Sequence, residues 1–246
     1  MFAGLSNRNE KKLTPPRFKA FSVAASASEL EMALARGEFG AVFQPYVSSE
    51  TGEAVAIEAT LRWHHPRRGS LAPSEFVCEA DQYGLLERLT FELIDQAALA
   101  AATWWRKQSA QIEATRATPF VISLSGAMLR SSAADEHLAS YVAPHDSASG
   151  HLVLELGALS GVGKIRKLNL DEYDDDRDSL TEAFERQSST NTVVVAGVST
   201  ILQWYVASEK NTRFVQGDFI CPPTAAANLG RALQEWKSSF RALSAC

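Results

Sequence analysis

The fold is decided by residues 53–76, which read EAVAIEATLRWHHPRRGSLAPSEF. The stretch from Glu53 to Trp63 is rich in apolar and β-forming residues, which predicts a strand. Pro66 and Gly69 then indicate a loop, and Pro73 stands where the first turn of a helix accepts proline. A strand, a loop and a helix in this order form the unit from which α/β folds are built.

The same alternation of strands and helices extends over most of the chain. Helical spacing predicts helices over 28–37, 85–107, from 127 onwards, and over 179–187, 200–208 and 224–236; apolar runs predict strands that begin at Ala41 and cover 120–124, 151–156, 164–170, 192–196 and 213–215. This order predicts a mainly parallel sheet covered by helices, either doubly wound or closed into a barrel.

The composition is that of a globular protein. The chain has 246 residues, of which 46% are hydrophobic and 22% are charged, which excludes disorder, collagen and a membrane bundle. A net charge of −5 offers no global attraction for nucleic acid or an anionic membrane. Cys78, Cys221 and Cys246 are odd in number, widely separated and without CxxC spacing, which fits neither a disulfide framework nor a structural zinc site. The N-terminus lacks a signal peptide, so we expect a cytoplasmic protein with a leader over 1–27 and one domain over 28–246.

In folds of this kind the chemistry collects at the carboxyl ends of the strands. Polar and small side chains at the predicted strand ends are therefore the first candidates for a functional site. They are Gln44, Glu58, Ser123, Glu155, Asn169, Ala196 and Gln216.

Four motifs in the first third of the chain resemble one known family. They are Phe43-Gln44-Pro45, the EATLRW run over 58–63, His65-Pro66 and the PSEF run over 73–76. In this order they resemble the opening of EAL domains, the bacterial cyclic di-GMP phosphodiesterases, where a Glu-Ala-Leu-Leu-Arg-Trp strand precedes a His-Pro loop and a Pro-x-Glu-Phe helix. The resemblance implies a modified (β/α)8 TIM-type barrel with its site at the carboxyl-terminal face.

Later motifs continue the resemblance in weaker form, so that it runs from about residue 30 to 240. Residues 121–125 resemble the Asn-Leu-Ser strand of the family, and 152–156 its Glu-Ile-Thr-Glu strand. Residues 194–200 look like a degenerate form of the family's Ala-Glu-Gly-Val-Glu-Thr motif, and residues 216–223 look like its closing Gln-Gly strand with its proline.

The chain departs from the family at the metal ligands. EAL phosphodiesterases hydrolyse their substrate with two divalent metals, which need several oxygen ligands. The resemblance keeps Glu58 and Glu155, but it puts Ser123 in place of the ligand Asn, and Ala196 and Ser199 in place of two glutamates. Two scattered carboxylates cannot hold two metals, so we expect no catalytic residues, no metal, no cofactor and no phosphodiesterase activity.

One βα unit of the family is also missing from the sequence. The Asp-Asp-Phe-Gly motif has no counterpart within 157–170. The chain leads from residue 157 directly to the RKLN stretch over 166–169, which resembles the later Lys-Ile-Asp strand. The resemblance therefore predicts an incomplete barrel, and whether it closes stays open.

The resemblance leaves nucleotide binding as an alternative function. A metal-independent receptor would use Gln44, Glu58, Arg62 and Pro223, with Lys167 as a weaker candidate, and Arg62 could contact a phosphate through two of its guanidinium nitrogens. The negative charges of Glu58 and Glu155 would oppose a dianionic nucleotide.

The favoured prediction is a regulatory module that binds another protein in cyclic di-GMP signalling. Candidate contact surfaces are 106–118, 141–150 and the acidic stretch 171–176, which is otherwise a solvated loop. The partner, the pathway and the oligomeric state are left open.

One glutamate and two residue pairs also have purely structural explanations. Glu58 can be held by Arg62 or by a neighbouring amide instead of a ligand, and His64 and His65 are better explained as part of a loop than as metal ligands. Trp104 and Trp105 are typical of core packing with one partly exposed ring, although an exposed pair would form an interface.

Overall fold

The computed structural model describes residues 25–108, 118–124, 152–156, 165–186 and 192–244. The helices are α1 (Ala27–Ala35), α2 (Val77–Gln82), α3 (Leu86–Gln108), α4 (Arg177–Glu185), α5 (Ile201–Glu209) and α6 (Ala226–Leu243). The strands are β1 (Phe39–Ser48), β2 (Ala54–His65), β3 (Gly69–Leu71), β4 (Phe120–Leu124), β5 (Leu152–Leu156), β6 (Ile165–Asn169), β7 (Thr192–Ala196) and β8 (Phe214–Val215). Short 3₁₀ turns cover Pro73–Glu75 and Leu170–Glu172.

The strands form one sheet in the order β5-β4-β2-β1-β8-β7-β6, with β3 paired to β2 outside this path. All pairs along the path are parallel except those of β1, which runs antiparallel to both β2 and β8. The prediction of a mainly parallel sheet did not include this reversal. The physical reason is the short turn between Ser48 and Ala54, because a tight turn joins strands only as an antiparallel hairpin.

The sheet curls into an incomplete barrel. Strands β5 and β6 end the path, and within the described part of the chain they do not pair with each other. Eight residues, 157–164, separate β5 from β6, fewer than the dozen or more that a crossover between parallel strands requires. The predicted fold class, an incomplete (β/α)8-type barrel, is confirmed, and the break lies where the missing βα unit is expected.

Alternation along β2 separates an outer apolar face from an inner polar face. Ile57, Ala59, Leu61 and Trp63 are buried in a core formed with α1, α2 and α3. Since successive strand residues point to opposite faces, the even-numbered positions 58, 60 and 62 lie on the inner, concave face of the sheet. The hydrophobic pattern of β2 therefore places Glu58 and Arg62 inside the barrel.

A second core covers β6, β7 and β8 with α4, α5 and α6. Leu168, Val195 and Val215 supply the buried strand residues, and Trp204 packs edge-on against Trp236 with ring centroids 5.1 Å apart. The two cores lie on either side of β1, whose Phe43 belongs to the first and Val47 to the second.

Some predicted boundaries are corrected. His64 and His65 belong to β2, and a short hairpin with β3 follows, in a region predicted to be a loop. The last helix extends to Leu243, beyond the predicted end at Trp236, because Phe240 and Leu243 continue its contact with the second core. The helix predicted from residue 127, most of the surface over 106–118, the surface over 141–150 and nearly all of the predicted leader lie outside the described residues. None of the described helices combines the length and apolar character needed to cross a membrane.

Candidate functional site

A buried hydrogen bond joins Glu58 to Gln216 at the centre of the concave face. Glu58 is 5% exposed and Gln216 is 2% exposed, and the Gln216 amide donates to the Glu58 carboxylate with Nε2 and Oε2 2.6 Å apart. Strand β1 lies between β2 and β8, so Gln216, which directly follows β8, reaches across it. Burial of a carboxylate is costly unless it receives hydrogen bonds, and a bond to a charged group is stronger than one between neutral groups. Of the partners predicted for Glu58, a neighbouring amide is the one observed.

Gln44 lies opposite Glu58 in the β1–β2 pairing, but its amide is used elsewhere. Nε2 donates to Oδ1 of Asp218 at 3.1 Å and to the carbonyl of Cys221 at 3.0 Å. These two bonds tie β1 to the turn that follows β8. Burial raises the pKa of the Cys221 thiol to about 11, and the charges of Asp218 and Glu235 add to the rise, so the thiol is protonated at neutral pH.

Arg62 lies on the concave face four residues beyond Glu58 and is half-buried. Within the described ranges, its guanidinium has no hydrogen-bond or ion-pair partner. Gly40 is its neighbour across the β1–β2 pairing, which leaves no side chain directly opposite it on β1. Arg62 therefore brings a positive charge to this face that the described part of the protein does not neutralise directly.

The remaining predicted site residues are placed by strand register. Ser123 pairs with Glu155 between β4 and β5, and Lys167 pairs with Val194 between β6 and β7; for these three candidates only the backbone is described. Pro223 is half-buried beside Thr224, which exchanges two backbone hydrogen bonds with Phe43 and so brings Pro223 near Gln44.

Close backbone contacts hold the loops after β6, β7 and β8 together. The N–H of Val198 donates to the carbonyl of Gln216, and its own carbonyl accepts from the N–H of Phe219. Gly217 lies so close that a Cβ there would collide with the Val198 backbone, and Gly197 has a positive φ of 71° beside Asn169. These three loops together form a rigid surface next to Gln216, which we call the wall. Its tightest contact is at Gly217, where only glycine fits.

Ala196 and Ser199 stand in this wall where the family resemblance implied glutamates. Ala196 ends β7 and is buried with a methyl side chain, so it offers no metal ligand. Ser199 donates through both its N–H and its hydroxyl to Oε1 of Gln203, at 2.7 and 3.1 Å. Among the residues that the structure describes, no group of three or more His, Cys, Asp or Glu side chains could hold a metal ion.

His65 fixes the hairpin that follows Arg62. Its Nε2 lies 3.0 Å from Oε1 of Glu29, and its Nδ1 accepts from the N–H groups of Arg67 and Arg68 at 3.1 and 3.2 Å. An imidazole that accepts at Nδ1 must donate at Nε2, and this hydrogen bond lowers the pKa of Glu29. The predicted structural explanation for this histidine agrees with its contacts, although it lies at a strand end.

The tryptophan pair and a separate cavity lie away from the polar cluster. Trp105 is buried and donates from its indole to the carbonyl of Thr118 at 3.1 Å, whereas Trp104 is half-buried, as predicted for a core pair with one partly exposed ring. A cavity of about 1030 Å³ lies at the opposite, amino-terminal end of the strands, between the 48–54 turn, Pro119 and the 208–214 turn.

Sequence reasoning missed Asp218 as a component of the site. Its carboxylate is exposed and accepts from Gln44, so it adds negative charge near Glu58. The signal that could have identified it is its position two residues after Gln216, at the carboxyl end of a predicted strand.

Three relatives illustrate what the chain is similar to. The oxygen sensor protein DosP of Escherichia coli K12 is 26% identical over 241 aligned residues, which cover 81% of this chain and 30% of DosP. The cyclic di-GMP phosphodiesterase RocR of Pseudomonas aeruginosa is 32% identical over 92 residues, which cover 37% of this chain and 24% of RocR. A solved structure of the PaMucR phosphodiesterase in complex with c-di-GMP superposes with a TM-score of 0.65 at 20% identity, over 82% of this chain and 98% of that one.

The chain spans less than a third of the length of the curated relatives it matches, from 9% to 30%. At 20% identity the PaMucR structure supports the fold alone. The sequence profile of the EAL domain matches residues 27–172, more than half of the chain. The chain therefore belongs to the EAL domain family, a family of cyclic di-GMP phosphodiesterases.

Proposed function

We propose that this chain is a non-catalytic EAL regulatory module that acts by binding another protein within cyclic di-GMP signalling. The observation that carries this proposal is the buried hydrogen bond between Glu58 and Gln216. The glutamate that matches the first metal ligand of the family receives a strong hydrogen bond from the protein itself, which accounts for its retention without a metal.

Among the residues that the structure describes, the donors do not fit the two divalent cations of the family. Mg²⁺ and Mn²⁺ need several oxygen ligands in a near-octahedral arrangement. Ala196 has no donor, and the hydroxyl of Ser199 is already bonded to Gln203. Ser123 stands for an asparagine and would supply a shorter neutral oxygen. Since two-metal hydrolysis depends on the full ligand set, we derive no catalytic step for this chain.

A second candidate function, a metal-independent cyclic di-GMP receptor, is favoured by Arg62. Its half-buried guanidinium on the concave face could contact a phosphate through two nitrogens, with Gln44 and Pro223 nearby and Lys167 on β6. Two facts count against this function: Gln44 would have to leave Asp218 and Cys221, and the carboxylates of Glu58 and Asp218 would repel a dianion.

Turnover of cyclic di-GMP with Mn²⁺ and with Mg²⁺ tests the non-catalytic assignment. We expect no hydrolysis product above the level of a metal-free control. Metal-dependent hydrolysis by the purified chain would overturn the proposal, because the chain would then hold a working metal site.

Calorimetric titration of cyclic di-GMP into the protein, first with Mg²⁺ and then with EDTA, distinguishes the regulatory-module function from the receptor function. The favoured proposal predicts no saturable heat in either condition. Micromolar binding that persists in EDTA would promote the receptor, provided that Arg62→Ala abolishes it. Arg67→Ala is the matched control, because it removes the same charge from an exposed position on the neighbouring hairpin.

A further inference from the structure

Helix α5 exposes an apolar pair to solvent. Ile201 is 49% exposed and Tyr205 is 43% exposed. They are four residues apart, so they lie side by side on one face of the helix, while Trp204, Val206 and Ala207 are buried on the other. An apolar pair at this spacing offers a ridge against which a second helix can pack.

The apolar pair stands on a rigid support. Thr200 caps the helix by accepting from the N–H of Gln203 at 3.1 Å, and Trp204 fixes the buried side against Trp236. A surface held in place before binding loses little conformational entropy when a partner docks. The exposure of Ile201 and Tyr205 is therefore a property of a well-packed helix and not of a frayed end.

An acidic segment, residues 171–178, contacts α5 through Asp175 and Arg177. Six of its eight residues are Asp or Glu. Near the start of α5, the hydroxyl of Thr200 donates to Oδ1 of Asp175 at 2.8 Å. Near the end of α5, Nη2 of Arg177 lies 2.5 Å from Oε2 of Glu209. These two contacts hold the acidic segment beside the apolar pair.

The charge of this surface selects the chemistry of its partner. Arg177 is the only basic residue of the segment, and Glu209 already neutralises it. Glu172, Asp174 and Asp178 are exposed, and within the described chain their carboxylates have no hydrogen-bond or ion-pair partner. An apolar ridge beside uncompensated negative charge is complementary to a helix with apolar residues on one face and Lys or Arg at its border. A second copy of this chain fits poorly, because a symmetric contact would bring two acidic segments together.

We propose that α5 and the acidic segment 171–178 form a docking surface for a basic amphipathic helix of a partner protein. The proposal rests on the proposed function, since it names the surface through which the module would bind its partner. The apolar pair would supply the contact area, and the carboxylates would accelerate association and exclude acidic competitors.

A labelled peptide of Leu and Lys at helical spacing tests this surface in the full chain. A second peptide with every Lys replaced by Glu is the matched probe. Fluorescence anisotropy without nucleotide should show saturable binding of the basic peptide only. Ile201→Ser and Tyr205→Ser should each weaken it roughly ten-fold, as expected for a central apolar contact. Leu99→Ser is the control, because Leu99 is 69% exposed on α3 and should leave affinity unchanged.

A charge variant, Asp174→Asn with Asp178→Asn, should also weaken binding and reduce its dependence on salt. Binding that the α5 variants leave unchanged would overturn the proposal, and so would binding that depends on charge alone. Self-association in sedimentation experiments that is lost in Ile201→Ser would also overturn it, in favour of a second copy as the occupant. None of these results depends on nucleotide turnover, so failure here would be distinguishable from failure of the non-catalytic assignment.

Discussion

Strand β1 divides the sheet into two sides, each with its own strands, helices and core. These two sides have kept different parts of the family pattern. The first side, β2 with α1–α3, keeps the EATLRW strand, the His-Pro hairpin and the concave-face residues Glu58 and Arg62, and the EAL profile matches all of it. The second side, β7 and β8 with α5 and α6, lies beyond the profile match and has Ala196 and Ser199 where the resemblance implied glutamates. Its strands and loops are nevertheless in place. The described strands and loops of this side are therefore held together by buried apolar packing and close backbone contacts, without glutamates at these two positions.

The largest expected effect tests whether the two sides fold as one unit. Trp63 is fully buried in the first core and donates to Oε2 of Glu38 at 3.0 Å, while Trp236 of the second core donates to the Gly52 carbonyl in the β1–β2 turn at 2.9 Å. Trp63→Ala and Trp236→Ala should each cost about 3–5 kcal/mol of unfolding free energy.

Because the Trp236 bond joins the two sides, urea denaturation followed by circular dichroism should show one shared transition in both variants. Two separate transitions in Trp63→Ala, with one at the wild-type midpoint, would mean that the sides are independent. Trp104→Phe is the control, since its ring is only half-buried.

The next effect concerns the wall formed by the loops after β6–β8. A Cβ at position 217 would collide with the backbone of Val198, which cannot move without breaking its bonds to Gln216 and Phe219. Gly217→Ala should therefore destabilise the protein by about 3 kcal/mol.

Gly37→Ala is the matched control for this substitution. Gly37 also has a positive φ, of 66°, but no atom lies within 4 Å of a Cβ placed there, so only the backbone strain of about 1 kcal/mol is expected. Equal losses in the two variants, measured by chemical denaturation, would show that the wall is not as closely packed as the structure indicates.

A smaller effect is expected at the contact that joins the sides across β1. Gln216→Ala removes a buried hydrogen bond from the Glu58 carboxylate and should cost about 1–3 kcal/mol. Gln44→Ala removes bonds to Asp218 and Cys221 that are partly exposed, and about 1 kcal/mol is expected. A larger loss of unfolding free energy in Gln44→Ala than in Gln216→Ala, measured by equilibrium denaturation, would contradict the central place of the Glu58 contact.

The strands and helices were predictable because each depends on neighbouring residues. The alternation from Ile57 to Trp63 and the apolar spacing of α3 both give the right element with nearly the right ends. The hairpin of β3 was missed because Gly69–Leu71 contains no β-branched or aromatic residue. The reversed direction of β1 was missed because the apolar pattern of a strand carries no information about its direction.

The site was less predictable because its contacts join distant parts of the chain. Gln216 and Asp218 reach β2 and β1 only because β8 pairs with β1, and a single sequence does not specify that neighbour. The pattern predicted Gln44, Glu58 and Gln216 at strand ends, which is right for Gln216 and wrong for Gln44 and Glu58, because β1 and β2 continue beyond them. Which amide meets which carboxylate depends on sheet order. The assignments of Arg62, Lys167 and Pro223 to a ligand remain predictions.

The smallest expected effect is the pH dependence of the first side, at the Glu29–His65 contact. The hydrogen bond from His65 lowers the pKa of the Glu29 carboxyl below its ordinary value of 4.5. A carboxyl whose folded pKa is depressed contributes stability above its unfolded pKa and loses it as the pH falls through the folded value. Glu29→Gln should therefore reduce stability by a constant, small amount above about pH 5, and this difference from wild type should disappear as the pH falls below 4.5.

Denaturation midpoints between pH 3 and 7 measure this difference, with Glu31→Gln as the control for an exposed glutamate on the same helix. His65→Leu should remove the pH-dependent part together with the bonds to Arg67 and Arg68. The hairpin that follows Arg62 would then be released while the wall beside Gln216 stays in place. A loss of stability that grows towards acid pH in Glu29→Gln has the opposite sign and would mean that the folded protein holds the carboxyl in its neutral form.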